Sequence, residues 1–543
     1  MTKRWHKSWP LLVPKHFDVE KPVSEYIRDW AILQPNKIAL CFYGRDITYS
    51  ELNAAIDRAA WGLVGLGIKK GDRVAIHMEN CPQFVIAYFG VQRAGGVVVP
   101  VNPMFKQAEI EYELNDSGAE TLIGMISLYE EVRKARSTTP LKNVILTSLR
   151  DYMPATPILP IPSEVNDHTP DLAETLRFTD LIEKSQNSPI CLVNDMAEDL
   201  SILQYTGGTT GIPKGAMITH YALSYVTLGT AYWYRDRDDD VHLAVAPFFH
   251  TMGQQQSMCT PLVGGGKIVI LSRFIPEVVA QAIEHYGCTR WVAATTMIIA
   301  LLSISDLQKY NLHSLRWLNT GGAPVSAELQ KKLAEVLPGT FIAEGYGMTE
   351  TLPQGGAITP IYRYRAGFVG IPQLNDAKIV DLENGAREMD PNQEGEIIFS
   401  GPAIMKGYWN RPEDTYKALK GGWLYTGDIG SMDEEGYIKL LGRKKELIKC
   451  SGYSVFPPEV EGLLYRHPAV KEAAVIGISD PYRGETPKAF IVLKSEYIRK
   501  ISEEELLKWC KENIAAYKRP RIIQFCKELP KSAAGKILKR LLT

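Results

Sequence analysis

Between Tyr205 and Gly215 the chain reads Tyr-Thr-Gly-Gly-Thr-Thr-Gly-Ile-Pro-Lys-Gly, a combination suited to holding a polyanion. Gly207, Gly208 and Gly211 permit close backbone approach and φ values that other residues resist. Successive N–H groups in such a loop can form an anion nest. Thr206, Thr209 and Thr210 add hydroxyl donors, and Lys214 adds a mobile positive charge. A Walker A loop fails on spacing, because two residues separate Gly211 from Lys214 and Gly215 follows the lysine. Phosphate would therefore be held in another manner.

Several further stretches carry chemistry. In Glu344-Gly345-Tyr346-Gly347-Met348-Thr349-Glu350 the glycines expose backbone around an aromatic ring, and Glu350 offers oxygen to a hard cation. Asn319-Thr320-Gly321-Gly322-Ala323-Pro324 follows an apolar run; it reads either as a plain turn or as small residues making room for a ligand chain. His250 follows an expected strand at 243–246, where position alone favours a packed side chain. Asp428 stands just past a tight turn in Trp423-Leu424-Tyr425-Thr426-Gly427-Asp428. Arg443, Lys444, Lys445 and Lys449 cluster as either a phosphate site or a solvated surface. Near the end, Gly535 gives the backbone freedom to place Lys536, which read alone is a solvent-facing lysine.

These side chains need a scaffold of more than one domain, as expected for 543 residues. Helix is expected from Val23 to Ala31 and from a cap at Ser50 through Leu66; strands are expected at 38–42, 46–49, 74–77 and 201–204. The alternation describes an α/β domain with helices on both faces of its strands. Short β runs at 394–399 and 437–441 describe a smaller β-rich part. A compact terminal unit follows about residue 446, with strands at 473–476, 489–493 and 522–525 and a helix capped by Ser502 with Glu505. Residues 151–170 read as a proline-rich external loop.

A net charge of −1 gives no support for nucleic-acid binding. The eight cysteines show neither zinc spacing nor a redox pair and read as small buried hydrophobes. The start shows no signal-peptide pattern, and the apolar stretch 84–101, interrupted by Arg93, falls short of a membrane span. The expectation is a cytoplasmic protein, with peripheral membrane contact left open.

The motifs, taken in order, resemble the superfamily of acyl-CoA synthetases, adenylation domains of peptide-making enzymes and beetle luciferases. The resemblance is strongest to long-chain fatty-acid–CoA ligases and runs from Trp5, Trp9 and Pro10 to Lys536. It implies an α/β fold with a β-rich subdomain: a large N-terminal adenylate-forming domain (1–441), a hinge (442–446) containing Lys445, and a small mobile α+β C-terminal domain (447–543).

The resemblance further implies that Thr206 to Gly211 and Lys214 hold ATP phosphates, that Tyr346 packs on adenine, that Thr349 meets the α-phosphate and that Glu350, with Thr206, holds magnesium. Glu344, Gly345, Gly347 and Met348 join the nucleotide site. Gly321, Gly322 and Ala323 wall the acyl pocket near the adenine, with His250, Gly322 and Gly347 on the acid. Asp428 accepts from ribose hydroxyls, and Arg443 reaches ribose or phosphate. Lys449 and Gly452 belong to a segment near the pantetheine passage, and Lys536 is the adenylation lysine. Cys450 is assigned to packing, because the cofactor thiol makes the attack. Trp233 is weighed as a gate aromatic against a core residue.

The implied reaction converts ATP and a medium- or long-chain fatty acid to acyl-AMP and pyrophosphate, then coenzyme A and acyl-AMP to acyl-CoA and AMP. No carrier-domain motif follows Leu542, which favours free coenzyme A. Related enzymes suggest a homodimer. Aromatic or short acids remain an alternative; a luciferase-like oxygenase, a carrier-serving adenylation domain, an inactive acyl-nucleotide binder and a scaffold rank lower.

Overall fold

The computed structural model describes residues 3–162, 174–206, 212–321, 325, 327–361, 363–450, 453–531 and 537–542. Valine- and isoleucine-rich strands, too apolar to face water, make two largely parallel sheets. One has seven strands, ordered Leu176–Arg177, Asn143–Thr147, Thr121–Met125, Arg73–His77, Val97–Pro100, Leu200–Tyr205 and Gly215–Thr219, the last antiparallel to its neighbour. The other has nine strands and centres on Phe341–Met348, Trp317–Gly321, Arg290–Ala294 and Val241–Ala244, all parallel. The helix Pro82–Arg93 is buried at every residue, and Phe84 meets Phe248 from the turn that follows Val241–Ala244. That burial explains an apolar stretch that is no membrane span. No helix among the described residues is long and apolar enough to cross a bilayer.

A five-stranded antiparallel sheet includes Asp376–Val380, Gly395–Ser400, Trp423–Met432 and Ile438–Arg443. After Arg443 comes a single 3-10 turn, Lys444–Glu446, and then Ile448–Cys450, which belongs to a separate terminal sheet. The long hairpin Val470–Asp480 and Gly484–Leu493 dominates that sheet, and Ile522–Phe525 joins it in parallel. The capping box at Ser502 and Glu505 forms as expected, and Leu506 and Cys510 face the terminal core.

One local expectation needs correction. Thr48, not Ser50, caps the second helix: its hydroxyl accepts from Glu51 N–H at 3.1 Å while the Glu51 carboxylate accepts from Thr48 N–H at 2.7 Å. Glu51 lies three residues beyond Thr48, the separation that a reciprocal cap requires. In the described part of the 151–170 loop Ala155, Thr156, Ile158 and Pro160 are exposed, as expected of an external loop, while Leu159 is buried and Ile158 N–H donates to Tyr43 O at 2.9 Å. Of the two readings weighed for Trp233, the structure supports core: its indole donates to Thr359 O at 3.0 Å and its ring meets Trp9 edge-on.

Candidate functional site

The antiparallel pairing of Leu200–Tyr205 with Gly215–Thr219 brings Thr206 beside Lys214, whose carbonyl accepts from Thr206 N–H at 2.9 Å. Gly207 to Gly211 connect these two points and lie outside the described residues, as do Gly322, Ala323, Gly452 and Lys536. A second segment is stitched along the hairpin: Met217 N–H donates to Gly407 O, and Trp409 N–H to Gly215 O. Tyr408 therefore projects beside Lys214. Its ring lies 5.2 Å from Lys214 Nζ, and its hydroxyl donates to Glu350 Oε1 at 2.6 Å. Lys214 is also paired with Asp414 at 2.9 Å, a contact that holds the Asp414 carboxyl below its usual range.

The strand Phe341–Met348 supplies the next layer. A Cβ on Gly347 would sit 2.2 Å from Pro353 O, so only glycine fits there. Tyr346 is buried and donates to Asp428 Oδ2 at 2.7 Å, while Asp428 Oδ1 lies 3.1 Å from Arg443 Nε. Antiparallel register sets Asp428 directly opposite Arg443. An aromatic face, a carboxylate and a guanidinium thus converge from three separate sequence motifs.

Arg443, with Lys214, Glu350, Tyr408 and Asp414, borders a cavity of about 1010 Å³ between the large domain and the terminal sheet, while Tyr346 and Asp428 stand behind Arg443 and do not line it. Thr206, Lys214, Gly347, Met348, Thr349, Glu350, Arg443 and Lys445 line it. From the terminal side come Glu485, Lys539 and Arg540, with Lys539 held 2.8 Å from Glu461 and 3.3 Å from Glu446. Lys449 is not among the lining groups; its Nζ donates to Ser454 Oγ at 2.9 Å. Cys450 is buried in the terminal core. Sequence reasoning passed over Tyr408, Arg411, Asp414 and Lys539. Two aromatics and an arginine beside Gly407, at φ 149°, and Asn410, at φ 52°, were the available signal.

Gly321, Glu344, Gly345 and His250 stand behind this cleft. Gly321 pairs with Gly345 in register, and a Cβ on Gly321 would lie 3.0 Å from Gly345 O. Burial pushes the Glu344 carboxyl up to about 7, partly offset by the Val325 N–H. Burial lowers His250 to about 4, so its imidazole is neutral near pH 7, and its Nε2 has no partner among the described residues. Because that pKa lies below the unfolded value, neutral burial contributes stability above about pH 6.5 that is lost as pH falls through about 4.

An AMP-binding enzyme family matches residues 27–409, and an AMP-binding enzyme C-terminal domain matches residues 459–536. The chain belongs to the AMP-binding enzyme family. It is 36% identical to a long-chain-fatty-acid–CoA ligase of Bacillus subtilis (strain 168), over 99% of this chain and 97% of that one. ATP-bound MatB from Rhodopseudomonas palustris superposes with a TM-score of 0.84 at 27% identity, covering 96% and 98% of the two chains. The anthranilate CoA ligase AuaEII, in complex with anthranoyl-AMP, gives 0.85 at 28% identity, covering 97% of each. Family membership accounts for the architecture of a large domain followed by a small terminal one.

Proposed function

We propose that this chain is an AMP-forming acid–thiol ligase that joins a medium- or long-chain fatty acid to coenzyme A, using ATP. The observation that carries this reading is the Tyr346–Asp428–Arg443 network, which reaches one interdomain cleft through Arg443, together with Thr206, Lys214 and Glu350, which line the same cleft. A nucleoside fits the first group and its phosphates fit the second. The Bacillus relative, similar over nearly its whole length, supports the fatty acid and coenzyme A as substrates.

In this reading Tyr346 packs on adenine, and Asp428, held by Tyr346 and Arg443, accepts from the ribose hydroxyls. Thr206, the 207–211 loop and Lys214 hold the phosphates. Glu350 and Thr206 present oxygen donors on one cleft wall, the chemistry a magnesium ion prefers; the ion would neutralise phosphate charge there. The substrate carboxylate is ionised at neutral pH and needs no general base. It attacks the α-phosphorus, pyrophosphate leaves, and Lys536 stabilises the developing charge. His250, neutral and with its Nε2 unpartnered among the described residues, positions the acid. In the second step the coenzyme A thiol loses its proton and attacks the acyl carbonyl, a thioester forms and AMP departs.

Residues 1–441 form the large domain in this reading, 442–446 the hinge around Lys445, and 447–543 the mobile domain that withdraws Lys536 between steps. Gly452 and Lys449 border the thiol path. The protein works in the cytoplasm as a homodimer, and exposed Leu11 and Leu12 support peripheral membrane contact.

A panel of fatty, aromatic and short acids, followed by pyrophosphate, AMP and acyl-CoA formation, tests the reaction. Acid-dependent pyrophosphate release and coenzyme A-dependent thioester formation are expected with fatty acids. ATP binding without acid-dependent pyrophosphate release would leave only a nucleotide-binding protein.

A further inference from the structure

The hairpin that carries Thr206 and Lys214 runs into a proline at its outer end. Thr206 N–H donates to Lys214 O at 2.9 Å, and Pro213, the next residue outward, brings no N–H to a further rung. The side chains of Thr206 and Lys214 line the cleft at this point. A second support for them comes from outside the hairpin.

That support is one face of the helix Gln107–Ser117. Tyr112 and Asp116 stand at i and i+4 on it, the spacing that puts two side chains side by side. The Tyr112 hydroxyl donates to Pro213 O at 2.6 Å, immediately before Lys214. Asp116 Oδ2 accepts from the Tyr205 hydroxyl at 2.7 Å, immediately before Thr206. Both stems of the hairpin end are thus tied to the same helical turn. Arg411 completes the arrangement, with Nη2 3.0 Å from Asp116 Oδ1 and 3.4 Å from the Tyr112 hydroxyl oxygen. A guanidinium only donates and a carbonyl only accepts, so the Tyr112 proton is directed at Pro213.

The strands below have other means of support. Their ladder runs from Leu200 opposite Thr219 to Tyr205 opposite Gly215, and Val97, Val99, Leu203 and Tyr205 pack together beside it. The Tyr112 bond is added beyond that ladder, at the residue that precedes the cleft lysine. Neither Tyr112 nor Asp116 lines the cleft. They can reach a ligand there only through residues that do. Lys214 has a flexible four-carbon stem, and its ammonium must leave Asp414 to meet a phosphate, so a fixed backbone is what aims it.

We propose that Tyr112 is a positioning residue for Lys214, and Asp116 for Thr206, in the step that releases pyrophosphate. The proposal rests on the ligase reading, in which Thr206 and Lys214 hold the ATP phosphates. In that step the acid's carboxylate oxygen bonds to the α-phosphorus. The bond from that phosphorus to the bridging oxygen breaks, and its electron pair leaves on pyrophosphate. Donors stabilise this charge best when they are in place beforehand. The second half-reaction, from acyl-AMP and thiol, contains no pyrophosphate and does not call on the pair.

Tyr112→Phe deletes one hydroxyl and keeps the ring. With full-length protein, ATP, magnesium and a panel of fatty acids, kcat for acid-dependent pyrophosphate release should fall about ten-fold, with KM for the acid unchanged. Thioester formation from supplied acyl-AMP and coenzyme A should match the wild type. In a Lys214→Met background the same substitution should cost nothing further, because the residue it positions is gone. Asp116→Asn should show the same one-sided loss. Each variant is first checked for a wild-type unfolding transition. If Tyr112→Phe fails that check, Asp116→Asn decides; if both fail, the helix face is structural and the proposal is overturned. Unchanged pyrophosphate release, equal loss in both half-reactions, or a Tyr112→Phe loss of the same size after Lys214→Met also overturns it, and each leaves the ligase reading standing. A wild type that releases no pyrophosphate with any acid removes that reading and the proposal with it.

Discussion

The nucleotide cleft and the space behind Gly321 treat polar groups in opposite ways. In the cleft, Tyr346 meets Asp428, Asp428 meets Arg443, Tyr408 meets Glu350 and Lys214 meets Asp414. Behind Gly321, the side-chain oxygens of Asn319, Gln256 and Gln354 and the Nε2 of His250 have no such partners among the described residues. Pairing orients the cleft groups before a ligand arrives, which limits the reorganisation that accompanies charge development. A buried polar atom left without a partner instead carries a desolvation cost.

The largest expected effect tests whether the cleft serves the first half-reaction. Lys536→Ala should lower acyl-AMP formation by about two to three orders of magnitude, as for loss of one preorganised charge stabiliser. It should spare most thioester formation from supplied acyl-AMP. Stopped-flow assays of each half-reaction separate the two; equal loss in a folded variant contradicts the assignment. Next, Asp428→Ala removes the acceptor shared by Tyr346 and Arg443 and should weaken ATP binding by about ten- to one-hundred-fold by calorimetry. An unchanged affinity would mean that the network only braces the domain.

The buried side makes a pH-dependent prediction. The folded Glu344 pKa, about 7, lies above its unfolded value, so its stability contribution is present below about pH 4.5 and is lost as pH rises through about 7. Glu344→Gln should therefore raise the melting temperature relative to wild type at pH 8 and narrow that gain at pH 5. A gain independent of pH would trace the effect to packing. The smallest expected change concerns Lys214→Met. Its half-exposed ion pair with Asp414 should contribute about 1 kcal/mol or less to stability, so thermal unfolding should barely move while pyrophosphate release falls. A large loss of stability would place Lys214 among the structural residues.

Much of the framework was legible because local rules leave strong marks. The glycine-threonine stretch, the Glu344–Glu350 motif and the Asp428 and Arg443 motifs each announce a chemical capacity within a few residues. The Ser502–Glu505 capping box likewise needs only a four-residue window. The simple N-cap expected at Ser50 falls two positions late, because a hydroxyl there also precedes a helical pattern while the reciprocal box is made by Thr48 and Glu51. Tyr408 was missed because nothing beside it in sequence is acidic; Glu350 reaches it from the distant 3-10 turn Thr349–Thr351. Lys449 illustrates the converse, since membership of a basic cluster does not decide where its ammonium points.

The sequence by itself determined which residues can bend backbone, bind anions or carry charge, since those properties belong to individual side chains and short spacings. Only the tertiary structure decided that Asp428 stands opposite Arg443 beneath Tyr346, and that Asn319 and Gln256 share a void with Asp236. Sheet register and helix packing join residues far apart along the chain, and whether a polar atom finds a partner depends on those distant neighbours.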